Sequence, residues 1–370
     1  MKLNCHRPSL ATAFQIVSAV VPSKTPKEIL KNVKLEVGNG KAILIGTDQE
    51  VGIRYEISRV ETDSAGEVLL PTNRVMALLR ELQDDAVLFE ISEDMVAIRS
   101  GTSEFKLPIE DPAEFPPVSS FDQESYFAIA GPSIKELIRR SVFATDVEST
   151  RYALGGVLME LNPEKITLAA TDSRRLAVVT AACRAEGQPA TENLSPVLPS
   201  KAMNLIEKTI SENDEEVLIS VNPNDALIKC GCATIYSRLV EGRFPRYRDV
   251  VPQECRVTVE LVAGPFHAAV RQAQIVTSEE SRGVDFAFSQ GLLTMNSVAA
   301  EIGESKIELP ISFDGEPVTI TFDPRFVSDF LRILDADSNI QLDLIDSESA
   351  AVFRKDDAYT YVVMPLSRDR

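Results

Sequence analysis

The side chains that could do chemistry in this chain fall into three groups, and two of them fail on inspection. Thr47-Asp48 and Thr171-Asp172 set a carboxylate beside a hydroxyl, the makings of a metal site. They recur within the matching strings KAILIGTD (41–48) and KITLAATD (165–172), at an offset of 124, and repetition at a fixed period marks a structural turn. Cys230-Gly231-Cys232 is half of a zinc site, but no second Cys pair or His stands at ligand spacing. In a strand the two cysteines would be small residues sharing one face. The five cysteines are scattered, and His6 and His267 are the only histidines. No Gly-rich phosphate loop, Ser/His/Asp set or carboxylate pair is present. The expectation is a protein with no catalytic residue, no metal and no cofactor.

The third group is cationic. A net charge of −18 argues against a polyanion partner, but its distribution argues for one. Six segments read as amphipathic helices: 7–19, 71–82, 132–143, 200–211, 264–275 and 324–334. They carry Arg7, Arg74, Arg80, Lys135, Arg139, Arg140, Lys201, Lys208, Arg271, Arg325 and Arg332 against Glu81, Glu136, Glu207 and Asp329. That is +7 on 72 residues, leaving −25 on the other 298. Lys and Arg favour helices in general, so the plain alternative is propensity. The sharper reading is a basic face for a polyanion on an acidic body.

These helices sit in a pattern written three times. A helical apolar stripe follows Pro71, Pro199 and Pro324, about 125 residues apart, and Glu114-Phe115-Pro116 is matched by Arg243-Phe244-Pro245. Each unit reads strand, helix, strands, helix, strands, with Ser9 as the cap of the first helix and Asn39-Gly40 as a hairpin turn. Such a period gives each unit its own core, so 370 residues divide into domains over 1–120, 121–252 and 253–370. The fold class is α+β, with two helices per unit packed on a mostly antiparallel sheet. The N-terminus has no apolar h-region and no run reaches the ~18 apolar residues of a membrane span, so no membrane role and a cytoplasmic location are expected.

Several strings carry a family resemblance. Ala170-Thr171-Asp172-Ser173-Arg174-Arg175-Leu176-Ala177, Leu239-Val240-Glu241-Gly242-Arg243-Phe244-Pro245 and the ending Tyr361-Val362-Val363-Met364-Pro365-Leu366 resemble motifs of the bacterial sliding clamps, the beta subunit of the DNA polymerase III holoenzyme. Arg99-Ser100-Gly101, Arg151 to Val157 and Arg282-Gly283-Val284 are similar too, and the resemblance covers the whole chain. It implies three clamp domains per chain, curved sheets outside and helices inside, with two chains closing head to tail into a ring around duplex DNA. The work is topological.

The resemblance also assigns residues. DNA contacts fall on Lys24, Arg74, Arg80, Arg139, Arg140, Arg151, Tyr152, Lys201 and Arg271. A hydrophobic pocket for short linear peptides falls on Leu154, Thr171, Ser173, Arg174, Arg175, Leu176, Pro245, Val250, Val362, Met364, Pro365 and Leu366, with Arg175 supplying hydrogen bonds. The dimer seam falls on Phe105 and Leu107 of one chain against Ile275 and Val276 of the other. Implied partners are a second copy, double-stranded DNA, the replicative polymerase alpha subunit, the clamp loader delta subunit, repair and translesion polymerases, and mismatch-repair and ligase proteins. The chain departs from the family's pattern at Asn73, Ala153, Asp249 and Glu348. A specialised clamp paralogue and a three-domain peptide-docking scaffold that ignores DNA are the alternatives.

Overall fold

The computed structural model describes residues 1–38, 40–57, 60–146, 148, 152–189, 196–252, 254–278, 282–300 and 302–367. The first repeat runs β1 (Lys2–His6), α1 (Arg7–Ser18), β2 (Asn32–Gly38), β3 (Lys41–Thr47), β4 (Val51–Ile57), β5 (Val60–Thr62), β6 (Gly66–Pro71), α2 (Thr72–Glu81), β7 (Ala86–Ile91), β8 (Met95–Ser100) and β9 (Ser103–Pro108). The second runs β10 (Tyr126–Ala130), α3 (Gly131–Ser141), β11 (Gly156–Leu161), β12 (Lys165–Thr171), β13 (Arg175–Ala182), β14 (Arg184–Glu186), β15 (Val197–Pro199), α4 (Ser200–Thr209), β16 (Glu216–Val221), β17 (Asp225–Cys230) and β18 (Ala233–Arg238). The third runs β19 (Val257–Val262), α5 (Ala263–Ala273), β20 (Val284–Ser289), β21 (Leu292–Ala299), β22 (Gly303–Pro310), β23 (Val318–Phe322), α6 (Pro324–Arg332), β24 (Asn339–Leu344), β25 (Ala351–Asp356) and β26 (Tyr359–Val363). Where β5 and β14 stand in the first two, the third has, among the described residues, the bridge Glu260 to Ser312.

The chain folds as two compact units, 1–135 with 162–164 and 183–239, and 136–161 with 165–182 and 240–370. The middle repeat is therefore shared between them. In the first unit one sheet has the order β14-β10-β16-β17-β18-β4-β3-β2-β6, joining five strands of the second repeat to four of the first through β18 and β4. A second sheet, β5-β1-β7-β8-β9, holds the rest of the first repeat. The second unit is built alike: β11-β12-β13-β26-β25-β24-β19 joins second and third repeats through β13 and β26, and β22-β21-β20-β23 is a second sheet.

Helix packing follows the apolar stripes. α1 buries Leu10, Ala13, Phe14 and Val17, and lies against α2, β3 and β4. The approach is close because a Cβ at Gly46 would stand 2.9 Å from a Val17 methyl. α6 buries Val327, Phe330 and Leu331, and the Phe330 ring stacks on Tyr361 at 5.0 Å between centroids.

Three local expectations are corrected. Ser9 lies inside α1, which starts at Arg7 after His6; its hydroxyl pairs with His6 Nδ1 at 2.9 Å. The proline landmarks are not equivalent: Pro71 and Pro199 hold extended backbone just before α2 and α4, whereas Pro324 is inside the first turn of α6, capped by the Asp323 carboxylate. Cys230-Gly231-Cys232 does not run along a strand. Gly231, at φ +51°, forms the β17–β18 turn, leaving Cys230 buried and Cys232 exposed. Asn39 lies outside the described residues; Gly40 forms the β2–β3 turn.

Candidate functional site

The Thr-Asp strings fold into the same turn twice. Thr47 Oγ1 donates to the Val51 carbonyl at 2.9 Å and accepts from Gln49 N at 2.9 Å, while Asp48 Oδ1 accepts from the Glu50 and Val51 amides. Thr171 Oγ1 donates to the Arg175 carbonyl at 2.6 Å and accepts from Ser173 N at 3.1 Å, while Asp172 Oδ1 accepts from the Arg174 and Arg175 amides. Gln49 and Ser173 take the same left-handed conformation, φ 78° and 74°. With Oδ1 of each aspartate occupied by amides, the outer oxygen takes a cation, from the neighbouring repeat for Asp48 and from the same turn for Asp172. Asp48 Oδ2 pairs with Lys201 of α4, and Asp172 Oδ2 takes Arg175 Nε at 3.0 Å.

Arg175 is the tie of the second unit. Nη1 donates to Asp329 Oδ2 of α6 at 2.7 Å and Nη2 to the Phe143 carbonyl at 2.8 Å. Its guanidinium lies over the Phe326 ring at 4.7 Å and the Phe143 ring at 5.5 Å. The side chain keeps only 11% of its exposure. Three of the five guanidinium N–H groups hold α6 and the Phe143 carbonyl to the turn. Phe143, Phe326 and Asp329 complete this cluster, and no spacing in the sequence signals them. Arg175→Ala leaves two carboxylates short of their partner, and the second unit is expected to lose about 3 kcal/mol. Urea denaturation of variant and wild type, compared by midpoint and slope, checks this.

Around that tie the structure collects most of the expected pocket positions. β13 and β26 pair with Arg175 opposite Val363 and Leu176 opposite Val362, and Met364 N extends the ladder to the Arg174 carbonyl at 2.8 Å. Leu366 N donates to the Thr321 carbonyl at 2.8 Å, and its side chain lies beside Gly283. Leu154, Thr171, Leu176 and Val362 are buried. Ser173, Arg174 and Pro245 are exposed, Pro365 and Leu366 are half-buried, and Met364 and Val250 present apolar surface at 44% and 56% exposure. The loop bearing Pro245 and Val250 is fixed from below: Tyr247 Oη donates to Glu160 Oε2 at 2.8 Å, and Arg248 pairs with the same carboxylate. Burial, and then Glu160, push the Tyr247 phenol above its ordinary range, so it stays a donor. Asp249 and Glu348 are both exposed.

Several of the cations have partners within the chain. Arg7 Nε donates to the Asp84 carbonyl at 2.8 Å, beyond the end of α2, and Lys135 Nζ donates to the Ile210 carbonyl at the end of α4. Arg325 pairs with Asp323 and Arg332 with Asp329. Two of the expected DNA contacts have partners within the chain, Arg140 as a buried side chain and Lys201 as an exposed one. Arg140 is buried at 8% exposure, paired with Glu136 and laid over the Tyr359 ring at 5.2 Å. Lys201 is held by Asp48 and by the Val20 carbonyl at 3.1 Å. Lys24, Arg74, Arg80, Arg139, Lys208 and Arg271 stay exposed. Arg151 and the Tyr152 side chain lie outside the described residues. His267, bonded to Ser328 at 3.0 Å, adds no charge near neutrality: burial, then Arg271 and Arg332, hold it below the usual imidazole range.

The expected seam residues lie at sheet edges. β9 is an edge strand carrying Phe105 and Leu107, which share a face with the buried Ile98 and Val96 of β8. Ile275 is 75% exposed and Val276 half-buried in the single turn 274–276, which packs on β22, another edge strand.

Comparison with known proteins matches three family models in sequence: the DNA polymerase III beta subunit N-terminal domain over 1–119, its central domain over 128–246 and its C-terminal domain over 248–367. The beta sliding clamps of Vibrio cholerae and Escherichia coli K12 are 28% and 27% identical to this chain over 369 residues, covering 99% of it and 100% of each relative. The crystal structure of the DNA polymerase III subunit beta from Pseudomonas aeruginosa superposes with a TM-score of 0.90 at 27% identity, covering 100% of both chains. A griselimycin-bound sliding clamp from the same organism also gives 0.90 at 27% identity, again with full coverage of both chains.

Proposed function

Because the chain belongs to the DNA polymerase III beta subunit family along its whole length, we infer that it works as a DNA sliding clamp, a processivity factor that encircles duplex DNA and tethers its clients. The observation that carries this is the run of three consecutive family models filling the chain from 1 to 367. The clamp is a non-catalytic subunit: the polymerase supplies the chemistry and the clamp the topology. The three domains are assigned to 1–120, 121–252 and 253–370, and the protein acts in the cytoplasm.

DNA is held by charge at a distance rather than by base readout. The exposed cations Lys24, Arg74, Arg80, Arg139, Lys201, Lys208 and Arg271 serve that purpose, and Arg140 is withdrawn from it because packing occupies it. Clients are the polymerase alpha subunit, the clamp loader delta subunit, repair and translesion polymerases, and mismatch-repair and ligase proteins. Their short motifs lie over Met364, Pro365, Leu366, Val250 and Pro245, above the floor of Leu154, Leu176 and Val362. Asp249 and Glu348 at the rim favour motifs with basic flanks.

The ring is a homodimer in which Phe105 and Leu107 of one chain meet Ile275 and Val276 of the other, satisfying two edge strands and covering apolar surface. Light scattering at micromolar concentration is expected to give twice 40.6 kDa. Ile275→Ala with Val276→Ala is expected to shift the population to monomer; a wild type that is monomeric there overturns the ring.

A further inference from the structure

We propose that His267, Arg271 and Arg332 form a site for a DNA backbone phosphate on the paired faces of α5 and α6, and that His267 takes up a proton as duplex binds there. This rests on the clamp function inferred above and adds to it a dependence on pH.

The two helices run antiparallel. Gly264 N, at the start of α5, donates to the Ala336 carbonyl beyond the end of α6 at 2.8 Å, and further along α5 His267 Nε2 meets Ser328 Oγ at 3.0 Å. Arg271 stands one turn on from His267 along α5, and Arg332 one turn on from Ser328 in the opposite sense. The imidazole therefore has an arginine on either side. Both arginines are exposed, with His267 and Ser328 half-buried between them. Arg332 also meets Asp329 Oδ1 at 3.3 Å, a carboxylate whose other oxygen is held by Arg175.

The elements beneath α5 add no charge to this face among the described residues. β21 and β22 turn Met295, Ser297, Ser305 and Ile307 toward the helix, and β19 buries Val259 and Leu261. Glu260, Glu304, Lys306 and Glu308 alternate onto the opposite faces, and the turn 274–276 has no titratable side chain.

The second repeat places a fixed cation at the same position. α3 buries Ile134, Leu137, Ile138 and Ser141, and α5 buries Phe266, Ala269, Val270 and Ala273, so the two helices align at an offset of 132. At that offset His267 stands where α3 has Lys135, and Arg271 where it has Arg139. The third repeat thus carries a titratable base in a row that elsewhere is permanently charged.

Without DNA the imidazole is neutral near pH 7, because burial, then Arg271 and Arg332, hold it below its ordinary range. A phosphate set between the two arginines cancels their repulsion and adds an attraction of its own. The bound state therefore holds the proton to a higher pH than the free state, and binding tightens as pH falls through the interval between them. The proton, drawn from solvent, also re-aims the hydroxyl. An imidazolium nitrogen can only donate, so Nε2–H turns to Ser328 Oγ, and the Ser328 O–H is left to donate to a phosphate oxygen.

The test is direct binding of full-length protein to a labelled duplex of about 30 base pairs at about 50 mM salt, followed by anisotropy between about pH 8 and about pH 5.5. Wild type is expected to bind about tenfold tighter at the acid end, the equivalent of one pKa unit. His267→Gln is expected to stay within about twofold across the range, and at the acid end to lose about 0.9 from the salt slope, the share of one phosphate. His267→Lys is expected to be flat, and at about pH 8 to match wild type at about pH 5.5. His6→Gln, at the other histidine, is expected to keep the wild-type profile. A His267→Gln profile equal to that of wild type, or a wild type that is itself flat, overturns the site and leaves the clamp standing. A wild type that binds no duplex at either end and is not retained on loaded circular DNA overturns both.

Discussion

Chains placed on nicked circular DNA by a clamp loader and ATP are expected to stay bound through a high-salt wash and to be lost when the circle is cut once. Binding through the exposed helix cations alone falls steeply with salt, because each neutralised phosphate returns a counterion. The cations available are fewer than the sequence suggests, since Arg140 is buried against Glu136 and Tyr359. Direct affinity for open duplex is therefore weak, and retention has to come from closure. Gel filtration of labelled protein with circular DNA at about 0.5 M salt, where the Debye length is a few ångströms, separates the two contributions. Linearisation is expected to cut co-eluting protein at least about tenfold. Equal retention on linear DNA with free ends would sink the topological mechanism.

Removal of Met364, Pro365 and Leu366 is expected to abolish peptide binding and processive synthesis while the dimer survives. Burial of two apolar anchors of a client motif contributes roughly 3–6 kcal/mol before ordering costs, so loss of the residues that cover them weakens binding at least about 100-fold. The deletion costs two backbone hydrogen bonds, Met364 to Arg174 and Leu366 to Thr321, and leaves Arg175 and its partners in place. Neither edge strand of the seam is touched. Calorimetry with a peptide bearing glutamine, leucine and phenylalanine anchors, on wild type and truncation, reads the pocket; light scattering reads the ring. Equal binding by both proteins would place the pocket elsewhere. Repeating the titration with lysine-flanked and glutamate-flanked peptides tests Asp249 and Glu348: tighter binding of the acidic version would remove them from the rim.

Local information in the sequence determined the six helices, the threefold period, the turn role of Thr47-Asp48 and Thr171-Asp172, and the family. Helix stripes and hairpin glycines are short-range signals, and each of the six helices ends within two residues of its expected limits. The tertiary structure decided how the repeats join. A strand's partner is set by backbone groups that carry no side-chain label, so nothing in 233–238 announces that it pairs with 51–57. It also decided the fate of each charge. Arg139 and Arg140 are neighbours on one helix, yet a 100° rotation per residue leaves the first exposed and buries the second over Tyr359. Arg175 meets Asp329 and Phe326, some 150 residues away in sequence, only because the fold brings α6 against its turn. Charge count is a property of composition; whether a charge is free depends on what the fold brings within 3 Å of it.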